Sequence, residues 1–125
     1  MELYIGGAFQ GKLDYVLGKK QKNMRIADGA DCSDDAFVSA DILNHLHLLI
    51  QRKLQAGEEV ETLIDEIYAA NPQIILISDE VGSGIVPLER KDREYREAVG
   101  RILCQAAQKA DCMERIFGGI GMRIK

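Results

Sequence analysis

An alternating order of strands and helices, a glycine-rich turn directly after an N-terminal apolar run, and one continuously apolar segment in mid-chain together predict an α/β fold. Its sheet is expected to be mostly parallel, flanked by helices, and to close with a terminal strand or hairpin. The apolar run is Leu3-Tyr4-Ile5 and the turn is Gly6-Gly7-Ala8-Phe9-Gln10-Gly11-Lys12. The mid-chain segment, Ile74-Ile75-Leu76-Ile77, lacks polar alternation and so suits a central parallel strand covered on both faces. With 125 residues, 46% of them hydrophobic, the chain is sized for a single domain over residues 1–125 with a real core.

Taken in order, Leu3 to Ile5 is expected as a short buried strand, and Lys12 to Leu17 as about two helical turns that Gly18 ends. A second strand covers Met24 to Ala27 and ends at Asp28, which leaves little more than the minimum for a right-handed crossover between parallel strands. Ser33 as N-cap, followed by Asp34 and Asp35 where the helix dipole favours negative charge, opens a helix that runs to Ala56 before Gly57. Its apolar face is Val38, Ile42, Leu46, Leu49 and Ile50. A further helix from Glu58 to Ala70 carries Val60, Leu63, Ile64 and Ile67 at helical spacing and ends at Asn71-Pro72. The strand Gln73 to Ser78 delivers Asp79 and Glu80 to its carboxyl end, where open α/β sheets bind ligands. After the loop Val81 to Pro87, a charged helix spans Leu88 to Lys109 with Tyr95, Val99, Ile102, Leu103 and Ala106 inward. Glu114 to Ile124, with glycines between apolar residues, supplies one or two terminal strands.

The net charge of −4, from 16 basic and 20 acidic residues, offers no broad field for a nucleic acid backbone, so DNA and RNA are not expected partners. Three cysteines, Cys32, Cys104 and Cys112, have neither even number nor C-x-x-C spacing, which argues against a disulfide framework or a zinc site. No apolar run is long enough to cross a membrane and no signal segment opens the chain. The expected setting is cytoplasmic.

The turn after the first strand fits the phosphate-binding pattern G-x-x-x-x-G-K up to Leu13. In a working loop, backbone N–H groups wrap the phosphates, the lysine reaches the outer ones, and a Ser or Thr hydroxyl completes the Mg²⁺ shell. Leu13 has no oxygen for a metal, so Gly6 to Leu13 reads as a nucleotide cradle with weakened magnesium handling. Asp28, Asp79 and Glu80 fall at carboxyl ends of expected strands, where they would converge near the phosphates to hold Mg²⁺ or orient an attacking hydroxyl. Glycine turns also occur for geometric reasons alone, and acidic strand ends also cap helices or face water. His45 and His47, read as an i, i+2 pair on a helix, point to different faces and share no ligand.

Glu80-Val81-Gly82-Ser83-Gly84-Ile85-Val86-Pro87 resembles the E-V-G-x-G-I-V-P signature of the bifunctional adenosylcobinamide kinase/adenosylcobinamide-phosphate guanylyltransferase family of cobalamin biosynthesis. Gly6-Gly7-Ala8, Gly11-Lys12, Tyr95-Arg96, Gly100-Arg101 and the ending Ile124-Lys125 add to the resemblance. It implies a P-loop fold with a RecA-like sheet, ATP or GTP with Mg²⁺ as donor, a cobinamide or other corrinoid alcohol as acceptor, and a homo-oligomer. The family phosphorylates the aminopropanol hydroxyl of adenosylcobinamide and then transfers GMP through a guanylylated histidine. Two departures stand out. Leu13 replaces the serine of the family's Gly-Lys-Ser, and the segment that carries the family's histidine is cut here to a few residues around Lys19 to Asn23. Asp28 matches the family's aspartate after the second strand. The resemblance therefore implies a compact member that retains the kinase half, with Lys12, Glu80 and Asp28 in catalytic roles and guanylyl transfer lost. The alternatives are a non-catalytic nucleotide- or corrinoid-binding sensor or partner subunit, and a kinase for another small alcohol.

Overall fold

The computed structural model describes residues 1–20, 23–81 and 89–125. In chain order the elements are β1 (Glu2–Gly6), α1 (Lys12–Lys19), β2 (Ile26–Asp28), a 3₁₀ turn (Ala36–Val38), β3 (Ile42–Asn44), α2 (Leu46–Gln55), α3 (Leu63–Ala70), β4 (Ile75–Asp79), α4 (Arg90–Lys109), β5 (Cys112–Phe117) and β6 (Ile120–Arg123). They form one six-stranded sheet in the order β2-β3-β4-β1-β5-β6. Every neighbouring pair is parallel except the terminal hairpin β5–β6. The expected α/β architecture with its terminal hairpin is therefore present.

Strand alternation distributes the core over two faces. Leu3, Ile5, Leu43, Ile74 and Leu76 pack with buried residues of α2, α3 and α4, among them Leu49, Ile67 and Ile102. Tyr4, Ile42, Ile75, Ile77 and Ile116 pack with Val16 of α1 on the opposite face. Burial of each such side chain contributes about 1.5–3 kcal/mol, so the continuous run in β4 anchors both layers at once.

Three expectations are corrected. The single helix expected from Ser33 to Ala56 is broken into the 3₁₀ turn, β3 and α2. Val38, assigned to its buried face, is 53% exposed, whereas Ile42, Leu43 and Asn44 are all buried and pair in parallel with β2, and Ile42 and Leu43 with β4. A short apolar run fits helical or strand spacing equally well, and here the distant backbone partners decide it. The helix expected from Glu58 begins only at Leu63. Third, β2 lies at the sheet edge, three places from β1, so the first crossover does not join neighbouring strands. Smaller shifts affect α1, which continues past Gly18 to Lys19, and β4, which runs through Asp79. Leu88 and the signature residues 82–87 lie outside the described residues.

Among the described residues no helix is long and apolar enough to cross a membrane. The three cysteines form no disulfide.

Candidate phosphate-binding cleft

β1 ends at Gly6, where β5 comes too close for a larger residue: a Cβ there would overlap the carbonyl oxygen of Ile116. The chain then turns through Phe9, at φ 58°, and Gly11, at φ 80°, before α1 begins at Lys12. The far side of the loop is fastened to the hairpin tip, where Gly119 N–H donates to Gln10 O at 2.9 Å and Gly118 N–H donates to Gln10 Oε1 at 2.7 Å. The loop is thus held from β1, α1 and the β5–β6 turn before any ligand arrives.

Lys12 is only 7% exposed. Its Nζ donates to Gly7 O at 2.7 Å and pairs with Asp79 Oδ1 at 2.6 Å. A buried ammonium needs such partners, and these hold it at the loop without using its third proton. Asp79 reaches the loop because β4 is the direct neighbour of β1, with Asp79 in register with Gly6. Around Lys12 lies a cleft of about 460 Å³, lined by Ala8 to Asp14 together with Asn44, His45, His47, Leu48 and Asp79. A larger cavity of about 620 Å³ lies beside β2 between Arg25 and Ala40. It contains no residue of the loop, so the smaller cleft is the candidate site.

The three carboxylates go to different places. Asp79 faces the cleft. Glu80 N–H donates to Gly6 O at 2.8 Å, while its Oε2 accepts from Arg115 Nε at 2.9 Å. Asp28 Oδ1 accepts from Ala30 N–H and faces His45 Nδ1, each at 2.9 Å. Partial burial opposes ionisation of Asp28, but Ala30 and His45 outweigh it and hold the carboxyl below its ordinary 3.8. Among the described residues no three histidine, cysteine or acidic side chains cluster as a metal site. Leu13 lines the cleft yet also packs against the Tyr4, Val16 and Ile42 layer, so its side chain serves the fold.

The expectation for the histidines is corrected. His45 is not helical; it precedes α2 at φ 57° and ψ 48°. Its ring meets that of His47 edge-on, with centroids 5.7 Å apart, and both rings line the Lys12 cleft. Helical spacing concealed this. The one sequence signal was an apolar pair, Ile42-Leu43, ending in polar Asn44-His45, as Ile77 ends in Ser78-Asp79 at a true strand terminus.

His47 is buried against Asp79, whose backbone N–H donates to Nδ1 at 3.1 Å and whose Oδ2 lies 3.4 Å from Nε2. Its carbonyl accepts from the Tyr95 hydroxyl at 3.2 Å. Because a backbone N–H only donates, Nδ1 is unprotonated and the neutral ring carries its proton on Nε2. Burial pushes the imidazole below its ordinary 6.5; Asp79 opposes that shift, and His45 and Lys12 add to it. The unfolded ring therefore binds a proton more readily than the folded one. The stability this contributes is complete above 6.5 and is lost as pH falls from there through the lower folded value. Urea unfolding at a series of pH values from about 7 downwards should show this loss before the carboxylates titrate, and His47→Gln should flatten it. A wild-type stability that stays level down to about pH 5 would contradict the assignment.

The fold and the loop geometry define an α/β protein of the P-loop class. The chain belongs to the cobinamide kinase / cobinamide phosphate guanyltransferase family, whose pattern it matches over residues 22–124. It is 35% identical over 68 residues to the bifunctional adenosylcobalamin biosynthesis protein CobU of Salmonella typhimurium, and 36% identical over 67 residues to that of Escherichia coli. Each match spans 54% of this chain but only 38% and 37% of those relatives. The family match begins after the loop, so the reading of Gly6 to Lys12 rests on its geometry.

Proposed function

We propose that the chain binds ATP or GTP on Gly6 to Leu13 and transfers the outer phosphoryl group to the hydroxyl of a cobinamide in the cytoplasm. The observation that carries this reading is the buried Lys12, aimed from a glycine loop into the cleft and held by Gly7 and Asp79. The loop amides and Lys12 would stabilise charge on the transferring group. Family membership supports the choice of acceptor. Guanylyl transfer is proposed to be lost, since the few residues around Lys19 to Asn23 that replace the family's segment include no histidine. A homo-oligomer is part of the same proposal. Titration calorimetry with ATP and GTP, with and without Mg²⁺, followed by an assay for phosphorylated cobinamide, tests it; nucleotide binding without transfer would leave the sensor reading.

That second reading is favoured by one observation, Leu13. The residues present do not build a protein-ligated magnesium site: Leu13 offers no oxygen, Asp79 Oδ1 is taken by Lys12, Glu80 by Arg115, and Asp28 by Ala30 and His45. Mg²⁺ bound with the triphosphate would neutralise phosphate charge, held by phosphates and water with Asp79 and Glu80 as outer carboxylates. Metal should therefore improve nucleotide affinity only weakly. Leu13→Ser should strengthen that metal response and, because the leucine is partly buried, lower stability by about 1–3 kcal/mol. Nucleotide affinity against Mg²⁺ concentration, beside thermal unfolding, measures both; a destabilised variant with an unchanged metal response would mean that the loop no longer handles magnesium.

A further inference from the structure

The phosphate-binding reading gives no role to the ring of His45, which lines the same cleft. His45 stands in the left-handed region, which costs a residue with a Cβ roughly 1–3 kcal/mol and persists only where the surroundings enforce it. They do so from two sides. Its carbonyl accepts from Leu48 and Leu49 at the start of α2, at 2.9 and 3.3 Å, and Gly29 after β2 lies directly against that carbonyl. Its Nδ1 lies 2.9 Å from Asp28 Oδ1. An ionised carboxylate only accepts, so Nδ1 carries the proton, and in a neutral ring Nε2 keeps its lone pair. The side chain is 40% exposed and lines the cleft. The ring touches His47, His47 faces Asp79, and Asp79 pairs with Lys12. This string links His45 to Lys12 within one cleft.

We infer that His45 is the general base for the acceptor hydroxyl, with Asp28 as the positioning residue that holds its ring. The inference rests on the phosphoryl-transfer reading and names the residue that completes it. The hydroxyl oxygen forms a bond to the γ-phosphorus while the bond from that phosphorus to the bridging oxygen breaks, and the nucleoside diphosphate leaves with that electron pair. The hydroxyl proton passes to Nε2 of His45, and water takes it from the ring before the next turnover. Asp28 prevents the ring from presenting Nδ1 instead.

The test is His45→Gly. Glycine adopts the left-handed backbone without strain, so the change removes the ring and relieves the fold. His45→Asn, which also tolerates that conformation, is the second variant. With cobinamide and ATP or GTP, both should lose about 10²–10⁴-fold in kcat while nucleotide affinity holds. Free imidazole should restore part of the His45→Gly rate, filling the space that the ring left. Asp28→Asn should lower kcat without raising KM for nucleotide, and imidazole should not rescue it. Slow hydrolysis of the triphosphate, with water as acceptor, is followed in parallel. A wild-type rate in His45→Gly, no rescue in a variant that still binds nucleotide, or a phosphorylated or nucleotidylated His45 found by mass spectrometry would overturn the assignment. Hydrolysis that depends on His45 without phosphorylation of cobinamide would sustain the base and overturn the proposed acceptor. A wild-type chain with neither reaction overturns both.

Discussion

Lys12→Ala should weaken binding of ATP and GTP by about 10- to 100-fold, leave the diphosphates within a few-fold, and abolish phosphoryl transfer. The ammonium is the one formal positive charge of the loop; its other contacts with phosphate would come from neutral amides. The third proton of the ammonium would be left for an outer phosphate, while the 2.6 Å pair with Asp79 offsets part of the charge that the phosphate meets. The variant has a second consequence for the cleft. Lys12 is one of the groups that depress the His47 imidazole, so its removal raises that group toward its ordinary value and narrows the acid-sensitive window of stability. Titration calorimetry of both nucleotide classes, with Lys12→Arg as a charge-preserving control, measures the first effect. Equal loss for triphosphate and diphosphate, or no loss, would remove the cradle.

Gly29→Ala should destabilise the fold by about 3 kcal/mol, lowering the melting temperature by about 10 °C. Gly29 sits where the end of β2 meets the start of α2, and its N–H donates to Asn44 O at 2.7 Å. A Cβ would overlap the carbonyl oxygen of His45 and stand 2.9 Å from its carbon and 3.0 Å from Leu49 N. All three atoms are backbone, so relief requires β2 and the first turn of α2 to separate. That movement also shifts His45 away from Asp28, and phosphoryl transfer should fall further than nucleotide binding. Gly100→Ala is the contrasting case: within α4 it meets nothing within 4 Å, and the added methyl should stabilise by about 0.5–1 kcal/mol. Differential scanning calorimetry compares them. Equal melting temperatures for Gly29→Ala and wild type would show that β2 and α2 are not locked as described.

Legibility in the sequence follows how local each decision is. Gly6 to Lys12 stood out because a tight strand-to-helix turn that exposes backbone amides demands glycines at close spacing, and the motif needs only its own neighbours to form. β4 was legible because four consecutive apolar residues leave no polar face. The hairpin was legible because glycines interrupt an apolar segment, and Gly118 and Gly119 do turn at φ 57° and 75°. Asp79 was correctly placed at the mouth of the sheet, since β4 ends there. Convergence of Asp28 with it depended on strand order, which is long-range information, and the edge position of β2 takes Asp28 to His45 instead.

The amino-acid sequence by itself determined the α/β class, the buried central strand, the glycine-rich turn with its lysine, the oxygen missing at Leu13, and the terminal hairpin. Each is set by residue chemistry or periodicity within a short window. Tertiary structure alone decided that Ile42 to Asn44 is a strand, that β1 lies between β4 and β5, and that His45 and His47 meet Lys12 in one cleft. The reason is physical: a short apolar run satisfies helix and strand spacing equally, and its backbone N–H and C=O groups take whichever partners the rest of the chain provides. Once β2 and β4 supply them, Asn44 ends a strand, the backbone turns sharply at His45, and the imidazole that helical spacing would have turned away enters the cleft.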